Sequence, residues 1–232
     1  MAADEHPSFA VATIKPRDPN GRGGLAVAGD EVGFYSVSVL ELITFAYSGN
    51  RAQLVGGPDW IREARYDIDG KADIEGKPNL AQQKEMAQKL LADRFQLKFH
   101  RGIREQPVYA IRVAKGGPKL APAADPSGET EEDAAGHGVE TTRTYTSASI
   151  AYFASMTQML FFVDRPLVDQ TGLTGRYDFK LRYTYDEAHA TDPNAPPGLF
   201  TAVQEQLGLK LEPTKAPVEV FAIDSVERPG EN

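Results

Sequence analysis

The chain has 232 residues, of which 41% are hydrophobic and 25% charged, and its net charge is −8 at pH 7. The acidic balance argues against nonspecific nucleic-acid binding and against docking on anionic membranes, because both need a basic surface. The sequence has no cysteine, which excludes disulfides, thiolate nucleophiles and cysteine-ligated zinc. Its apolar runs all fall short of the roughly 20 residues that a membrane-spanning helix needs.

The first half of the chain begins with a strand, a helix and a second strand. The pattern of Phe9–Ile14 predicts a short strand. Ser38, followed three residues later by Glu41, has the signature of a capping box and predicts a helix that ends near Ser48–Asn50. Arg65–Glu75 alternates with a period of two, which predicts a strand with one apolar and one charged face.

A second helix and two more strands complete this half. Asn79 and Gln82 repeat the capping-box signature and predict the start of a helix that continues to Phe95. Gln96–Arg101 and Val108–Ala114 predict two strands that close the unit.

Ala121–Gly138 interrupts the alternation of strands and helices. It combines proline, glycine and a run of acidic residues with almost no apolar content. Such a segment has too little apolar surface to offset the entropy of ordering it. We therefore expect residues 121–138 to form an acidic flexible linker.

The second half of the chain repeats the order of the first. Ser149 predicts the N-cap of a helix, and Arg176–Tyr185 alternates as a strand. Apolar residues at helical spacing in Leu199–Leu207 predict another helix. Leu209–Glu212 and Val218–Val226 predict a closing hairpin.

Four blocks of sequence occur twice in the same order, about 110 residues apart. They pair Tyr35–Val39 with Tyr145–Ser149, Arg65–Ile68 with Arg176–Phe179, Leu97–Phe99 with Leu209–Leu211, and Pro107–Ile111 with Pro217–Phe221. Each half thus predicts the order strand, helix, strand, helix, strand, strand. We predict an α+β fold of two tandem related units, residues 1–120 and 139–232, with mostly antiparallel sheets and helices packed on one face.

Five stretches resemble the signature motifs of a known family. They are Val55–Trp60, Leu90–Phe95, Val113–Leu120, Val168–Phe179 and Gln206–Glu212. In these motifs the chain is similar, from Phe9 to Arg228, to a soil-acidobacterial family of uncharacterised exported proteins known as DUF3738. The resemblance implies a periplasmic or extracellular protein whose signal peptide is absent from this chain. It implies no catalytic residues, because the family has no assigned activity.

The repeated triplet of arginine, tyrosine and aspartate is the first candidate site. In a strand, Arg65 and Asp67 share one face while Tyr66 turns to the other, and the same holds for the second triplet, Arg176–Asp178. This spacing predicts an ion pair beside a core tyrosine in each unit. The alternative is a ligand-binding role at the junction of the units for Arg65, Asp67, Arg176 and Asp178.

A loop and an isolated aspartate supply further candidates. Trp60, the only tryptophan, and Asp59 follow two glycines and a proline, where an aromatic side chain either anchors a ligand or covers the edge of the core. An acidic pocket near Asp59, Asp67 or Asp169 is the feature that a carboxylate-based enzyme would need.

The acidic face of the first predicted strand contains the candidate metal ligands. Asp67, Asp69, Asp73 and Glu75 are carboxylates of the kind that binds Ca²⁺. Because neighbours at this spacing lie ~7 Å apart along a strand, the pattern favours a solvated face over a single ion site. Asp67 and Asp69 are retained as weak Ca²⁺ candidates, and no other cofactor is predicted.

These observations lead to two functional hypotheses. The duplication, the lack of a nucleophile or metal motif and the resemblance to exported proteins favour an extracytoplasmic binding module. Its ligand would be a peptide, a glycan, another envelope component or a small molecule. The alternative is a hydrolase of ester or lactone bonds that uses carboxylates, with or without Ca²⁺. The sequence leaves the choice between binding and catalysis open.

Overall fold

The chain forms two units, and the first of them is assembled from both ends of the sequence. The computed structural model describes residues 6–17, 23–137, 139–160, 163–185 and 195–230. Unit 1 contains the described residues up to Arg104 and those from Glu219 onward, and unit 2 contains Glu105–Val218.

Unit 1 is built on a four-stranded antiparallel sheet. Its elements in chain order are β1 (Phe9–Arg17), β2 (Gly24–Ala28), β3 (Glu31–Ser38), α1 (Val39–Ala46), β4 (Leu54–Gly56), α2 (Trp60–Glu63), β5 (Arg65–Ala72), α3 (Leu80–Phe95) and the first part of β6 (Lys98–Val113). The strands of the sheet have the order β1-β5-β3-β2. β1 and β2 are therefore its edges among the described residues.

Unit 2 contains a sheet with the corresponding strand order. Its elements after the second part of β6 are β7 (Ala121–Pro122), β8 (Glu131–His137), β9 (Glu140–Ala148), α4 (Ile150–Gln158), β10 (Leu167–Asp169), β11 (Tyr177–Thr184), α5 (Leu199–Leu207) and the first part of β12 (Leu209–Ser225). The sheet has the order β7-β11-β9-β8, with β8 at one edge. The α+β class with mostly antiparallel sheets is thus confirmed.

A short strand pairs in parallel with a long strand in each unit. In unit 1, β4 pairs with Phe221–Ile223 of β12, and in unit 2, β10 pairs with Tyr109–Ile111 of β6. The chain leaves unit 1 inside β6, after Arg104, and returns inside β12, at Glu219.

The helix starts predicted from the sequence are confirmed. The side chain of Ser38 accepts a hydrogen bond from the Glu41 backbone N–H, and Asn79 does the same for Gln82, with the reciprocal bond present in both boxes. Ser149 accepts from the Tyr152 backbone N–H at the start of α4. These caps satisfy N–H groups that the first turn of a helix leaves without a partner.

The core of unit 1 lies between its sheet and the helices α1 and α3. Val32 and Phe34 of β3 and Ile68 of β5 are buried in one cluster with residues of both helices. Tyr66 is buried in the same cluster, and its ring meets Phe95 edge to face at 5.6 Å. The prediction of a core tyrosine is therefore confirmed in this unit.

The core of unit 2 has an aromatic centre. Tyr145 stacks on Phe179 at 4.7 Å, and Phe153 of α4 meets both rings edge to face. Tyr177, the counterpart of Tyr66 in the second triplet, is only half-buried and packs against the outside of this cluster.

Two sequence predictions differ from the structure. Residues 121–137 of the predicted linker contain β7, a turn and β8, and each residue of β8 pairs with one of β9. The predicted hairpins at the end of each half are instead the continuous strands β6 and β12. Pairing with distant strands outweighs the local turn and linker signals in both cases.

The unit boundaries also differ from the predicted 1–120 and 139–232, because the chain passes between the units inside strands. The internal duplication itself stays a prediction. Within the described ranges, every helix lacks either the length or the apolar composition that crossing a membrane requires.

Candidate functional site

The first repeated triplet holds a bulge in the sheet of unit 1. The register between β3 and β5 shifts by one between Phe34 and Val37, and Ser36 in the bulge has a left-handed backbone with φ of 48°. Asp67 Oδ1 accepts the Ser36 N–H at 2.8 Å, and Arg65 donates to the Ser36 carbonyl at 3.1 Å. The two charged side chains satisfy the backbone groups of a residue that the ladder leaves out.

The second triplet holds a matching bulge in unit 2. Ser147 has φ of 49°, its N–H donates to Asp178 Oδ1 at 2.8 Å, and its carbonyl accepts from Arg176 Nε at 2.9 Å. Asp178 Oδ2 accepts a second backbone N–H, from Ala124, also at 2.8 Å. These N–H groups of Ser147 and Ala124 lower the pKa of Asp178, because they favour its charged form.

The predicted ion pair between the arginine and aspartate of the triplet is wrong. Arg65 pairs with the buried carboxylate of Glu41, and Asp67 pairs with Arg17 at 2.6 Å. In unit 2, Arg176 donates to the hydroxyl of Thr130 at 2.5 Å. Because these groups bind to the protein itself, both triplets are assigned a role in the fold.

The loop candidates are likewise engaged in local structure. Trp60 is half-buried against the core of unit 1, and the guanidinium of Arg228 lies 4.9 Å from the centre of its ring. Asp59 precedes α2, is exposed and makes no capping hydrogen bond. Asp169 accepts the N–H and hydroxyl of Thr171 at 2.9 and 2.7 Å, which closes a turn after β10.

The Ca²⁺ candidates do not converge on one point. Asp69 accepts from the hydroxyl of Tyr35 at 2.7 Å, which raises the pKa of Tyr35, while Asp67 pairs with Arg17. Asp73 accepts from Ser8 at the far end of the strand. In the described ranges, no group of three histidine, cysteine or acidic side chains is placed to hold a metal ion.

A polar cluster on the core side of the unit 2 sheet is the feature that the sequence reading missed. Cross-strand pairing aligns Glu132 of β8 with Tyr145 of β9, and Ala134 of β8 with Arg143 of β9. Tyr183 reaches the cluster from β11, and Tyr152 lies close to it on α4. The register aligns Tyr145 with Phe34 of unit 1, one residue away from the Tyr35 with which the sequence pairing matched it. The alternation of a strand places all the strand members of the cluster on one face.

An ion pair forms the centre of this cluster. Arg143 binds the carboxylate of Glu132, and their side chains are 22% and 9% exposed. Arg143 Nε also donates to the hydroxyl of Tyr183 at 3.2 Å. Burial alone would lower the pKa of Arg143, but the neighbouring Tyr183 and Glu132 outweigh it and raise that pKa. The arginine therefore stays charged, and the pair as a whole is neutral.

The hydroxyl of Tyr145 is buried, and it forms no hydrogen bond of regular geometry among the described residues, although the carboxylate of Glu132 lies close enough to accept its proton. Burial and, secondarily, the charge of Glu132 raise the pKa of Tyr145, so the phenol keeps its proton and remains a donor. A buried hydroxyl that finds no partner carries a desolvation cost of about 1–3 kcal/mol. Such a group in a native protein calls for a ligand or an ordered water.

Unit 1 has apolar residues where unit 2 has these polar ones. Phe34 stands directly before the unit 1 bulge, as Tyr145 stands directly before the unit 2 bulge. Two residues earlier, unit 1 has Val32 and unit 2 has Arg143, and Leu25 opposite Phe34 corresponds to Glu132. The sheet of unit 1 has the same strand order and carries apolar side chains at these positions. The fold therefore does not require Glu132, Arg143 and the Tyr145 hydroxyl.

A sequence signal for the cluster did exist. Arg143 and Tyr145 alternate with threonines over five residues, as the two faces of a strand do. The partner Glu132, however, lies in the acidic stretch that predicted a linker. Its inward orientation depends on pairing with β9, which local pattern does not reveal.

Comparisons with known proteins identify a family but no activity. Residues 40–226 match the family described as "Protein of unknown function (DUF3738)". No curated protein and no solved structure matches the chain.

Proposed function

We propose a role for this chain, which belongs to the DUF3738 family of proteins of unknown function, as a binding protein for a neutral, hydroxyl-rich ligand such as a glycan. The observation that supports this proposal is the buried hydroxyl of Tyr145, which lacks a hydrogen bond of regular geometry and lies beside a neutral ion pair. The ligand would bind at the polar cluster of unit 2.

The charge balance of the cluster favours a neutral ligand. Glu132 and Arg143 neutralise one another, so an anion or a cation would have to displace one member of the pair. Removing one partner of a buried ion pair costs about 3–5 kcal/mol, because the other charge is left uncompensated. A neutral ligand leaves the pair intact and can bind to its remaining donor and acceptor positions.

The hydrogen-bonding groups favour ligand hydroxyls. Tyr145 offers a proton, and the hydroxyl of Tyr183 can both donate and accept. A sugar hydroxyl also does both, and therefore matches such a set. The half-buried ring of Tyr152 offers an apolar surface beside these groups, and Ala134 leaves the same face of β8 exposed.

Action outside the cytoplasm is part of the proposal. It is supported by the resemblance of the chain to exported proteins. The proposed binding site belongs to unit 2 alone and not to both predicted repeats, because the corresponding positions in unit 1 are apolar.

A glycan microarray followed by titration calorimetry tests the proposal. We expect binding to neutral glycans, and we expect Tyr145→Phe to weaken it about tenfold, the equivalent of one buried hydrogen bond. Tyr35→Phe, which removes an exposed hydroxyl from unit 1, is the matched control and should leave the affinity unchanged. Binding confined to acidic glycans, or insensitivity to Tyr145→Phe, would contradict the proposal.

The hydrolase hypothesis stays a prediction with its own test. A panel of chromogenic esters and lactones, with and without EDTA, measures it directly. Turnover that is lost on substitution of Asp59, Asp67 or Asp169 would replace the binding proposal with an enzymatic one.

A further inference from the structure

β2 ends the sheet of unit 1 with an unprotected edge. Among the described residues it pairs only with β3, from Gly24 opposite Tyr35 to Ala28 opposite Glu31. In an antiparallel pair, alternate residues direct their backbone N–H and C=O groups away from the partner strand. The outer side of β2 therefore presents a row of backbone groups to which another strand can add.

The composition of β2 lacks the usual protection of an edge. Its five residues, Gly24–Ala28, include neither a charge nor a proline. The edge strand of the unit 2 sheet, β8, has Glu131, Glu132 and Asp133 at its start. Charged residues on an edge discourage pairing with another chain, and their absence leaves pairing possible. The edge strands β2 and β8 thus differ in this protection.

The core side of β2 favours an apolar neighbour. Leu25 is 42% exposed, although Val27, two residues along the same face, packs against the core. A strand added beside β2 would place its inward side chains against Leu25. Apolar residues at these positions would remove that side chain from water.

The opposite side of β2 favours a basic neighbour. A groove of about 360 Å³ crosses this face of the sheet, and it is lined by Val11, Ala26, Ala28, Glu31, Tyr35 and Asp69. Lys71 also lines the groove, directly opposite Glu31 on β5, and it pairs with Asp30 at 3.0 Å, whereas Glu31 forms no ion pair among the described residues. The two lining carboxylates, Glu31 and Asp69, outnumber this lysine, so the groove has an excess of negative charge.

The small side chains of β2 leave a path to that charge. An added strand would lie two strand spacings, or about 10 Å, from β3. Ala26 and Ala28 are exposed and extend little above the sheet, so a lysine or arginine from the added strand can cross them towards Glu31. This complementarity of charge defines the chemistry of the partner.

We propose that β2 is a docking edge for an extended peptide segment of a partner protein, with apolar residues facing Leu25 and basic residues facing Glu31. The segment extends the unit 1 sheet by one strand. This surface is separate from the polar cluster of unit 2, and it serves a different class of ligand.

Fluorescence anisotropy at low salt, with the full chain, tests this site. The probe is a labelled heptapeptide that alternates valine and lysine, and two further peptides replace lysine by glutamate or place a proline at the centre. We expect the lysine peptide to bind and the other two to bind at least about tenfold more weakly.

Three variants locate the binding on β2. Ala26→Arg blocks the path across the edge and repels the probe, and Glu31→Lys reverses the charge that attracts it. Each should weaken binding about tenfold or more. Ala135→Arg on β8, whose position opposite Thr142 matches that of Ala28 opposite Glu31 on the same face of its sheet as Ala26, is the control and should leave binding unchanged.

The outcomes that overturn the proposal are distinct. Equal affinity for the lysine and glutamate peptides, or unchanged binding in Ala26→Arg, would place the interaction elsewhere. Failure of the lysine peptide to bind would also refute it. Sedimentation that shows a dimer of the unliganded chain, lost in Ala26→Arg, would assign the edge to a second copy instead of a peptide.

Discussion

Tyr145 and Phe34 stand at the same position in their two sheets, directly before a bulge, and differ by one hydroxyl group. In unit 1 the ring is enclosed by apolar neighbours, and in unit 2 it lies beside Glu132. The hydroxyl of Tyr145 forms no hydrogen bond of regular geometry with the described residues, although it lies near the Glu132 carboxylate. At the residue scale, we therefore expect it to cost stability in the unliganded protein.

We predict opposite effects on stability from exchanging these two side chains. Tyr145→Phe removes a buried hydroxyl that lacks a hydrogen bond of regular geometry and should raise the free energy of unfolding by about 1 kcal/mol. Phe34→Tyr buries a new hydroxyl among apolar residues and should lower it by about 1–3 kcal/mol. Chemical denaturation followed by circular dichroism measures both. A loss of stability in Tyr145→Phe would mean that the hydroxyl donates a stabilising hydrogen bond to the neighbouring carboxylate of Glu132.

The bulge aspartate of unit 2 gives a prediction for pH dependence. Hydrogen bonds from Ser147 and Ala124 lower the folded-state pKa of Asp178 below its unfolded value, about 3.9. Its contribution to stability is therefore complete above that unfolded pKa and is lost as the pH falls through the folded pKa. Asp178→Asn should lower the melting temperature at pH 7, and the difference from the wild type should shrink below about pH 4. A difference that stays constant across this range would show that charge is not the cause.

At the scale of single elements, α3 and α5 end in the same backbone conformation but with different residues. Each helix ends at a left-handed residue, Gln96 with φ of 48° and Gly208 with φ of 64°. Glycine adopts this conformation without steric cost, whereas a residue with a side chain does not. At Gly208 the need is also spatial, since an added Cβ would lie 2.2 Å from the carbonyl oxygen of Gly117.

Substitutions at these two caps should have opposite signs. Gly208→Ala combines backbone strain with a collision against backbone and should destabilise the protein by about 2 kcal/mol or more. Gln96→Gly relieves strain at an exposed position and should stabilise it by up to about 1 kcal/mol. Thermal denaturation compares the two with the wild type. A stabilising Gly208→Ala would contradict the close approach of Gly117.

The elements that the sequence predicted well are those defined by local interactions. The caps at Ser38, Asn79 and Ser149 depend on residues within one turn, and the buried stripe of α5 follows from helical spacing alone. The strand β8 could not be predicted in this way, because its acidic residues become strand only through pairing with β9.

The candidate site shows the same limit. The bulge residues Asp67 and Asp178 were found because they recur in the sequence, but their partners, the serine N–H groups of β3 and β9, depend on strand register. Glu132 and Arg143 are separated by 11 residues and a hairpin, and no local pattern links them. The repeated triplets identified residues that stabilise the fold. The polar cluster could not be found in the same way, because it occurs in one unit only.

At the scale of the whole molecule, unit 1 depends on residues from near the end of the chain. Phe221 of β12 is 3% exposed in the unit 1 core, and the same stretch of β12 provides the strand with which β4 pairs. The boundary at residue 120 predicted from the sequence would separate these residues from the rest of their unit.

We predict that a fragment of residues 1–120 does not fold alone. Without Phe221 it has an open core, and without β12 it has an unpaired β4. The fragment should lack a cooperative thermal transition in circular dichroism, and residues 105–218, which contain all of unit 2, should show one. Cooperative melting of residues 1–120 would refute the assignment of β12 to unit 1.

The placement of β12 has a consequence for the order of events during synthesis. A chain leaves the ribosome from its N-terminus, and domains generally fold as soon as their residues are available. Residues 105–218 emerge complete before Phe221 does, so the unit encoded second acquires its structure first. The earlier residues, including β1, β5 and α3, must wait with their apolar faces uncovered until Phe221 arrives. A pause or truncation before Phe221 would therefore harm unit 1 most, although most of its residues are made first.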